Sequence, residues 1–170
     1  MENLIIVAAI GKNNELGLDN KLIWKIKEDL GFYRNITLYN NIIMGRKTFE
    51  SMPPKALENR NVFVLSSKPL DKYYDINVFN NIDSLLEYIK SSEEKFIVVG
   101  GASVYAAFLP HVDTMYLTEI EEYAPADTFF PEIDYHEWGI EEELYRKDKE
   151  YSNTDDISYV RNKYVRRRVK

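Results

Sequence analysis

Short apolar runs, each stopped by a glycine or hydroxyl turn, restrict most strongly what this chain can fold into. Leu4-Ile-Ile-Val-Ala-Ala-Ile10 is one; Asn41-Ile-Ile-Met44, Val62-Phe-Val-Leu65 and Phe96-Ile-Val-Val99 are others. A run without polar alternation suits a strand covered on both faces, as in a parallel sheet. Helical or loop stretches separate 41–44, 62–65 and 96–99, so these strands should run parallel in one sheet with their carboxyl ends on one edge. Residues 114–118 form a further strand, 127–131 an extended segment closed by Pro131, and 140–145 with 157–165 a terminal antiparallel pair. The polar stretch 11–21 reads as a long loop, as does 53–61. No internal repeat or interdomain linker interrupts the chain, so residues 1–170 are expected to form a single α/β domain.

The stretch 22–38 has the period of a helix, with Leu22, Ile26, Leu30 and Tyr33 on one face. Asp29 lies three residues after Ile26 and four before Tyr33, so it projects from that apolar stripe, whereas Glu28 and Lys25 turn towards water. A carboxylate aimed inward must be paired, hydrogen-bonded or protonated. Taken alone, the commoner explanation is a helix-edge aspartate bonded to a nearby backbone N–H. Residues 45–52, 82–89 and 103–109 make the other helices, the second of them amphipathic and assigned to packing.

Composition narrows the function. Twenty-eight acidic against 22 basic residues give a net charge of −6, which argues against a general nucleic-acid binder. Cysteine is absent, and His111 and His136 have no ligand-like spacing, so neither a disulfide framework nor a metal site is expected. The N-terminal apolar run is too short to span a membrane and lacks the basic start of a signal peptide. A cytoplasmic enzyme or binding domain is the expectation. Arg166-Arg167-Arg168 is read as a solvated strand end.

The expected sheet edge gathers three turns: Gly45-Arg46-Lys47-Thr48, Ser66-Ser67-Lys68 and Gly100-Gly101-Ala102. Open α/β sheets bind ligands at that edge. Two helix N-termini and a basic, hydroxyl-bearing turn match a pyrophosphate and one further phosphate, which is what NADPH presents. Each turn alone has an ordinary reading, since Ser-Ser-Lys is common in turns and Gly-Gly is not the GxGxxG fingerprint.

In order and spacing, these pieces resemble dihydrofolate reductase over nearly the whole chain. The resemblance is carried by Val7-Ala8-Ala9, Leu16-Gly17 with Asn20, Trp24 followed five residues later by Asp29, and Ile43-Met44-Gly45-Arg46-Lys47-Thr48-Phe49-Glu50-Ser51. Arg60-Asn61, Leu65-Ser66-Ser67, Val99-Gly100-Gly101-Ala102-Ser103-Val104-Tyr105, Tyr116-Leu117-Thr118 and Asp127-Thr128 through Phe130-Pro131 complete it. It implies a central mixed, mostly parallel eight-stranded sheet with flanking helices, and reduction of 7,8-dihydrofolate to tetrahydrofolate by hydride transfer from NADPH. It implies that Asp29, helped by Thr118, anchors the pterin, and that water ordered near Trp24 brings the proton to N5. Arg60 matches the residue that forks onto the glutamate-tail carboxylate, and Val7, Ala8, Tyr33, Met52, Val99 and Tyr105 match the pocket walls. The implied cofactor contacts are Ala9, Leu16, Gly45, Arg46, Lys47, Thr48, Leu65, Ser66, Ser67, Lys68, Gly100, Gly101, Ala102, Ser103, Val104, Tyr105 and Thr128. Partners would be dihydrofolate and antifolate inhibitors, with no nucleic acid or membrane, for a monomer. Ile23 stands where the family usually has proline, Tyr33 where phenylalanine is usual, Ala102 and Ala126 where glycine is frequent, and Ser103 where some members have a basic residue. A riboflavin-biosynthesis reductase and a non-catalytic nucleotide-binding module are the rivals; neither needs Asp29, and the first has no use for Arg60.

Overall fold

The structure, a computed structural model, describes residues 1–70 and 75–168. The first half holds β1 (Leu4–Ile10), β2 (Glu15–Leu18), β3 (Lys21–Leu22), α1 (Lys27–Thr37), β4 (Asn41–Gly45), α2 (Arg46–Ser51) and α3 (Pro54–Leu57). There follow β5 (Asn61–Leu65), β6 (Ile76–Phe79), α4 (Ile82–Lys90), β7 (Phe96–Gly100) and α5 (Ala102–Phe108). The chain closes with β8 (Thr114–Ile120), β9 (Thr128–Phe129), β10 (Trp138–Lys147) and β11 (Tyr159–Arg166).

Eight strands form one sheet in the order β10-β11-β8-β1-β7-β4-β5-β6. β1, β4, β5, β6, β7 and β8 pair with one another in parallel, and β11 is antiparallel to both of its neighbours, β8 and β10. The mixed, mostly parallel eight-stranded sheet is therefore the one expected. Side-chain alternation divides the core into two clusters. Leu4, Ile6, Ala8 and Ile10 of β1 pack with Leu85, Leu86, Ile89, Tyr105 and Phe108 of α4 and α5. Ile5 and Val7 face the other way, with Phe32, Tyr33 and Ile36 of α1 and with Phe49, Met52 and Leu57.

Several boundaries differ from those expected. The helix begins at Lys27, not at residue 22, because Ile26 is still extended at φ −90° and ψ 117°. Leu22 belongs to β3 and is 56% exposed, so it leaves the apolar stripe. The stretch 11–21 is not a plain loop: β2 pairs with β3 and with the distant β9. One helical turn, α3, interrupts the stretch 53–61. Strand β6 has no counterpart in the sequence reading; its residues Ile76, Asn77, Val78 and Phe79 make too short a run between polar neighbours.

Candidate active site

Site residues gather where β1, β8 and β11 pass beneath the start of α1. Register sets Ala9 and Arg161 on either side of Thr118, in one row across three strands. Alternation turns that row to the α1 side. From above, the first turn of α1 brings Glu28 and Asp29, where acidic residues suit the helix dipole. Thr118 donates its hydroxyl to Asp29 Oδ1 at 2.5 Å, and Arg161 Nη2 donates to the same oxygen at 2.9 Å. The inward carboxylate read from the helix period is thus observed, and its partners are side chains rather than a backbone N–H.

Glu28 corrects the sequence reading. Although its side chain remains 36% exposed, it is not free in water but receives the Arg161 fork, Nη1 to Oε1 at 2.9 Å and Nη2 to Oε2 at 2.7 Å. The Tyr159 hydroxyl donates to the same carboxylate at 2.8 Å. Because α1 starts at residue 27, position 28 lies in its first turn, within reach of β11. The Arg161 bond holds Glu28 below the ordinary glutamate range, against the pull of burial and with help from Tyr159. Burial works against the Arg161 cation, but its bonds to Glu28 and Asp29 more than offset that and keep it above its ordinary range. The guanidinium also lies 4.0 Å from the centre of the Phe32 ring. Arg161 and Glu28 were missed by sequence reasoning. The legible signal was a charged residue at 161 in step with Tyr159 and Lys163 on one face of an expected strand.

The residues expected to form the pocket walls stand as follows. Val7 and Ala8 lie on opposite faces of β1: Val7 packs beside Tyr33 and Met52, and Ala8 in the cluster of Tyr105. Tyr105 donates to the Val7 carbonyl at 2.8 Å and is buried, which pushes its hydroxyl well above the usual range, with Tyr33 and Asp29 adding to the shift. Val99 is buried in the α1-side cluster. Tyr33 Oη is buried and finds no hydrogen-bond partner among the described residues. Burial drives it up to about 12, partly countered by the nearby Arg60 cation.

Arg60 is held by neutral acceptors. Nε donates to Thr37 Oγ1 at 3.1 Å, Nη1 to the Glu58 carbonyl at 2.8 Å and Nη2 to the Arg34 carbonyl at 2.9 Å. No carboxylate among the described residues neutralises it, so its orientation is fixed while its charge remains available. Trp24 is partly buried, and a Cβ on Gly11 would lie 2.5 Å from its Cη2, so that glycine makes room for the indole. Glu15, nearly fully buried, ties the β2 hairpin down by accepting from the N–H groups of Asn13 at 2.5 Å and Ala124 at 2.8 Å.

The carboxyl ends of β4, β5 and β7 carry the three expected turns. α2 and α5 begin after Gly45 and Gly101, and neither has a side-chain cap on its first N–H groups. A Cβ on Gly101 would stand 3.2 Å from Thr48 Oγ1, and one on Gly45 would stand 3.0 Å from Val104 Cγ2. The two turns therefore close on each other, leaving bare backbone at the edge. Gly100, at φ +123°, adopts a conformation that side chains disfavour, and a peptide in the cis form joins it to Gly101. Lys47, Ser67, Lys68 and Ser103 are exposed, and Ala102 is partly so. The Ser66 hydroxyl is spent within its own turn, donating to the Lys68 carbonyl at 2.8 Å. That turn borders a hollow of about 480 Å³ shared with Val78, Phe79, Asn80 and Ser84. Arg46 pairs with Glu50 at 3.1 Å in an exposed contact. Leu65 is half-buried at the β5 end, and Leu16 and Thr128 belong to the small β2–β9 sheet.

Arg166 is not a free strand end. It donates to the carbonyls of Leu109 at 2.7 Å and Val112 at 2.9 Å and stacks 4.5 Å from the Trp138 ring centre.

Comparison with known proteins converges. The family model described as dihydrofolate reductase matches residues 3–166. The dihydrofolate reductase of Haemophilus influenzae is 34% identical over 88% of this chain and 92% of its own length. That of Bacillus subtilis is 36% identical over 79% of each. A solved structure described as dihydrofolate reductase from Enterococcus faecalis complexed with NADP(H) and RAB-propyl superposes with a TM-score of 0.83. It shares 29% identity and covers 97% of this chain and 96% of that one. An unbroken family match across the sheet, the helix that carries Asp29 and all three edge turns means that the chain belongs to the dihydrofolate reductase family.

Proposed function

We propose that Asp29 is the group on which this chain, an NADPH-dependent reductase of 7,8-dihydrofolate to 5,6,7,8-tetrahydrofolate, orients its substrate. The observation that carries the assignment is an inward carboxylate, its side chain 17% exposed, whose Oδ1 is fixed by Thr118 and Arg161. Its Oδ2 has no bond among the described residues. A pterin offers paired N–H donors, from its 2-amino group and ring N3, to such a carboxylate. Holding the ring in one pose supplies much of the rate, since an oriented pair reacts as one molecule. A negative charge beneath the ring also favours protonation at N5, which makes the neighbouring C6 more electrophilic.

Gly45, Thr48, Gly100 and Gly101 fit a dinucleotide. The glycines bring backbone N–H groups to the edge with no side chain above them, and the Ser67–Lys68 turn offers a hydroxyl and an amine beside the hollow. Bound NADPH supplies the hydride delivered to C6. Lys68, and Arg46 once it leaves Glu50, are the cations to favour a 2′-phosphate; that exposed pair is weak enough to open. Arg60, pre-oriented by three neutral acceptors, suits a planar carboxylate such as the end of a glutamate tail. Trp24 excludes bulk water near the pterin, and the proton arrives through solvent ordered beside it.

Among the described residues no helix is long and apolar enough to cross a membrane. A cytoplasmic monomer acting on small molecules, and open to antifolate inhibitors, completes the reading. The direct test is loss of NADPH absorbance with and without dihydrofolate. Turnover that requires dihydrofolate supports the assignment; oxidation indifferent to it contradicts it.

A further inference from the structure

Arg161 is a buried cation, 3% exposed, that the anchoring of a pterin does not by itself require. A guanidinium in that position is tolerable only if fully paired. Its pairing is divided unequally. Glu28 takes two parallel bonds at 2.9 and 2.7 Å, and Asp29 takes one at 2.9 Å through Oδ1. Nε reaches Thr118 Oγ1 at 3.3 Å, and Thr118 in turn donates to Asp29 Oδ1. Two donors therefore converge on a single oxygen of Asp29, while the charge of Arg161 is met chiefly by Glu28. The three groups together carry one net negative charge.

We propose that Arg161 and Glu28 form a charge-neutral clamp that positions Asp29. Arg161 fixes Oδ1 and the plane of the carboxylate. Glu28 cancels the guanidinium charge, so that Asp29 still presents an uncancelled negative charge to the ring above it. The proposal rests on the reading of Asp29 as the pterin anchor, and it makes Arg161 and Glu28 positioning residues.

The clamp predicts pH effects of opposite sign. Without Glu28, a cation 2.9 Å from Asp29 cancels its charge and N5 is harder to protonate. Without Arg161, two carboxylates stand side by side in the first turn of α1, and N5 is easier to protonate. The other ionisable groups facing the cluster stay the same in both variants. They are Tyr33 of α1, Tyr105 of α5, Tyr116 of β8, Tyr159 and Lys163 of β11, Tyr145 of β10 and, beyond Tyr33, Arg60. Lys163 is itself paired with Glu141 at 2.6 Å.

The test measures single-turnover hydride transfer from NADPH to dihydrofolate across pH in the parent and in Glu28→Gln, Arg161→Gln, Arg161→Lys and Asp29→Asn. In the parent the rate falls as pH rises and N5 loses its proton. Glu28→Gln should move that falling limb to lower pH by about one unit, the scale of one nearby charge in a partly solvated site. Arg161→Gln should move it to higher pH and raise the dihydrofolate KM. Arg161→Lys should return the limb towards its parent position while leaving KM raised, because an ammonium keeps the charge but loses the fork. Should Arg161→Gln fail to fold, Glu28→Gln decides alone, since Glu28 sits at the rim. A limb that stays put in Glu28→Gln, or that moves the same way in both variants, overturns the clamp. Near-normal turnover in Asp29→Asn overturns the reading of Asp29 beneath it; an impaired Asp29→Asn with an unmoved Glu28→Gln limb overturns the clamp alone.

Discussion

Tyr33 brings a hydroxyl into an apolar wall and leaves it unbonded among the described residues. A buried hydroxyl without a partner destabilises, so Tyr33→Phe should raise stability by about 1 kcal/mol, or about 2–4 °C in thermal midpoint for a chain of this size. Thermal unfolding of the two proteins checks it; a lower midpoint for Tyr33→Phe would mean that the hydroxyl is satisfied. Arg60 is the reverse case, a residue held in place by three neutral acceptors and with no carboxylate partner among the described residues. Arg60→Leu should weaken dihydrofolate binding by about 1.5–3 kcal/mol, the worth of a charged hydrogen bond. Binding of a pterin without the glutamate tail should be unchanged, and equal loss for both ligands in titration would remove Arg60 from tail recognition.

At the scale of elements, the end of β7 is the most constrained turn. Gly100 sits at φ +123°, and a Cβ there would meet the Tyr105 ring at an ordinary contact distance of 3.4 Å, so the backbone conformation and not crowding opposes a side chain. Gly100→Ala should therefore cost about 1–3 kcal/mol in denaturant unfolding, and it should weaken NADPH binding because the turn cannot hold its shape. A variant as stable as the parent would show that the turn relaxes freely. The elements were legible where physics left the sequence few choices. The apolar runs at 4–10, 41–44, 62–65 and 96–99 could be little else than buried strands, and the alternation with crossovers fixed their direction. What escaped depended on distant partners. β2 pairs with the nearby β3 and also with β9 across more than 100 residues, and two-residue strands such as β3 and β9 leave no periodic trace. The start of α1 was misplaced because Leu22 falls on the helical period by coincidence while β3 holds it extended. Asp29 was found because it interrupts an apolar stripe. Glu28 was lost because its partner, Arg161, lies 133 residues away, and no local pattern announces a pair of that separation.

Across the whole molecule, the Arg161 cluster ties the first helix to the last strand, so it bears on global stability as well as chemistry. Glu28 is held below its ordinary value of 4.5, chiefly by Arg161. A carboxylate lowered on folding adds stability that is present above its unfolded value and lost as pH falls through its folded one. The thermal midpoint of the parent should therefore exceed that of Glu28→Gln at neutral pH, and the gap should close as the pH drops below 4.5 and onward through the lowered value. A gap that is constant from neutral to acid pH would show that ionisation of Glu28 adds nothing to the fold. The same architecture brings glycine backbone from the ends of β4 and β7, the Ser67–Lys68 turn from the end of β5 and a carboxylate from the neighbouring helix towards one edge, which is the arrangement a hydride-transfer site needs. That account centres on the Asp29 carboxylate, and the most direct measurement is kcat/KM for dihydrofolate in Asp29→Asn against the parent from acid to neutral pH. The expected result is a loss of about 10²-fold or more at neutral pH, the worth of a positioned ionised group, with partial recovery in acid as the substrate arrives already protonated. An Asn variant that turns over at near-parental rates at neutral pH would contradict it.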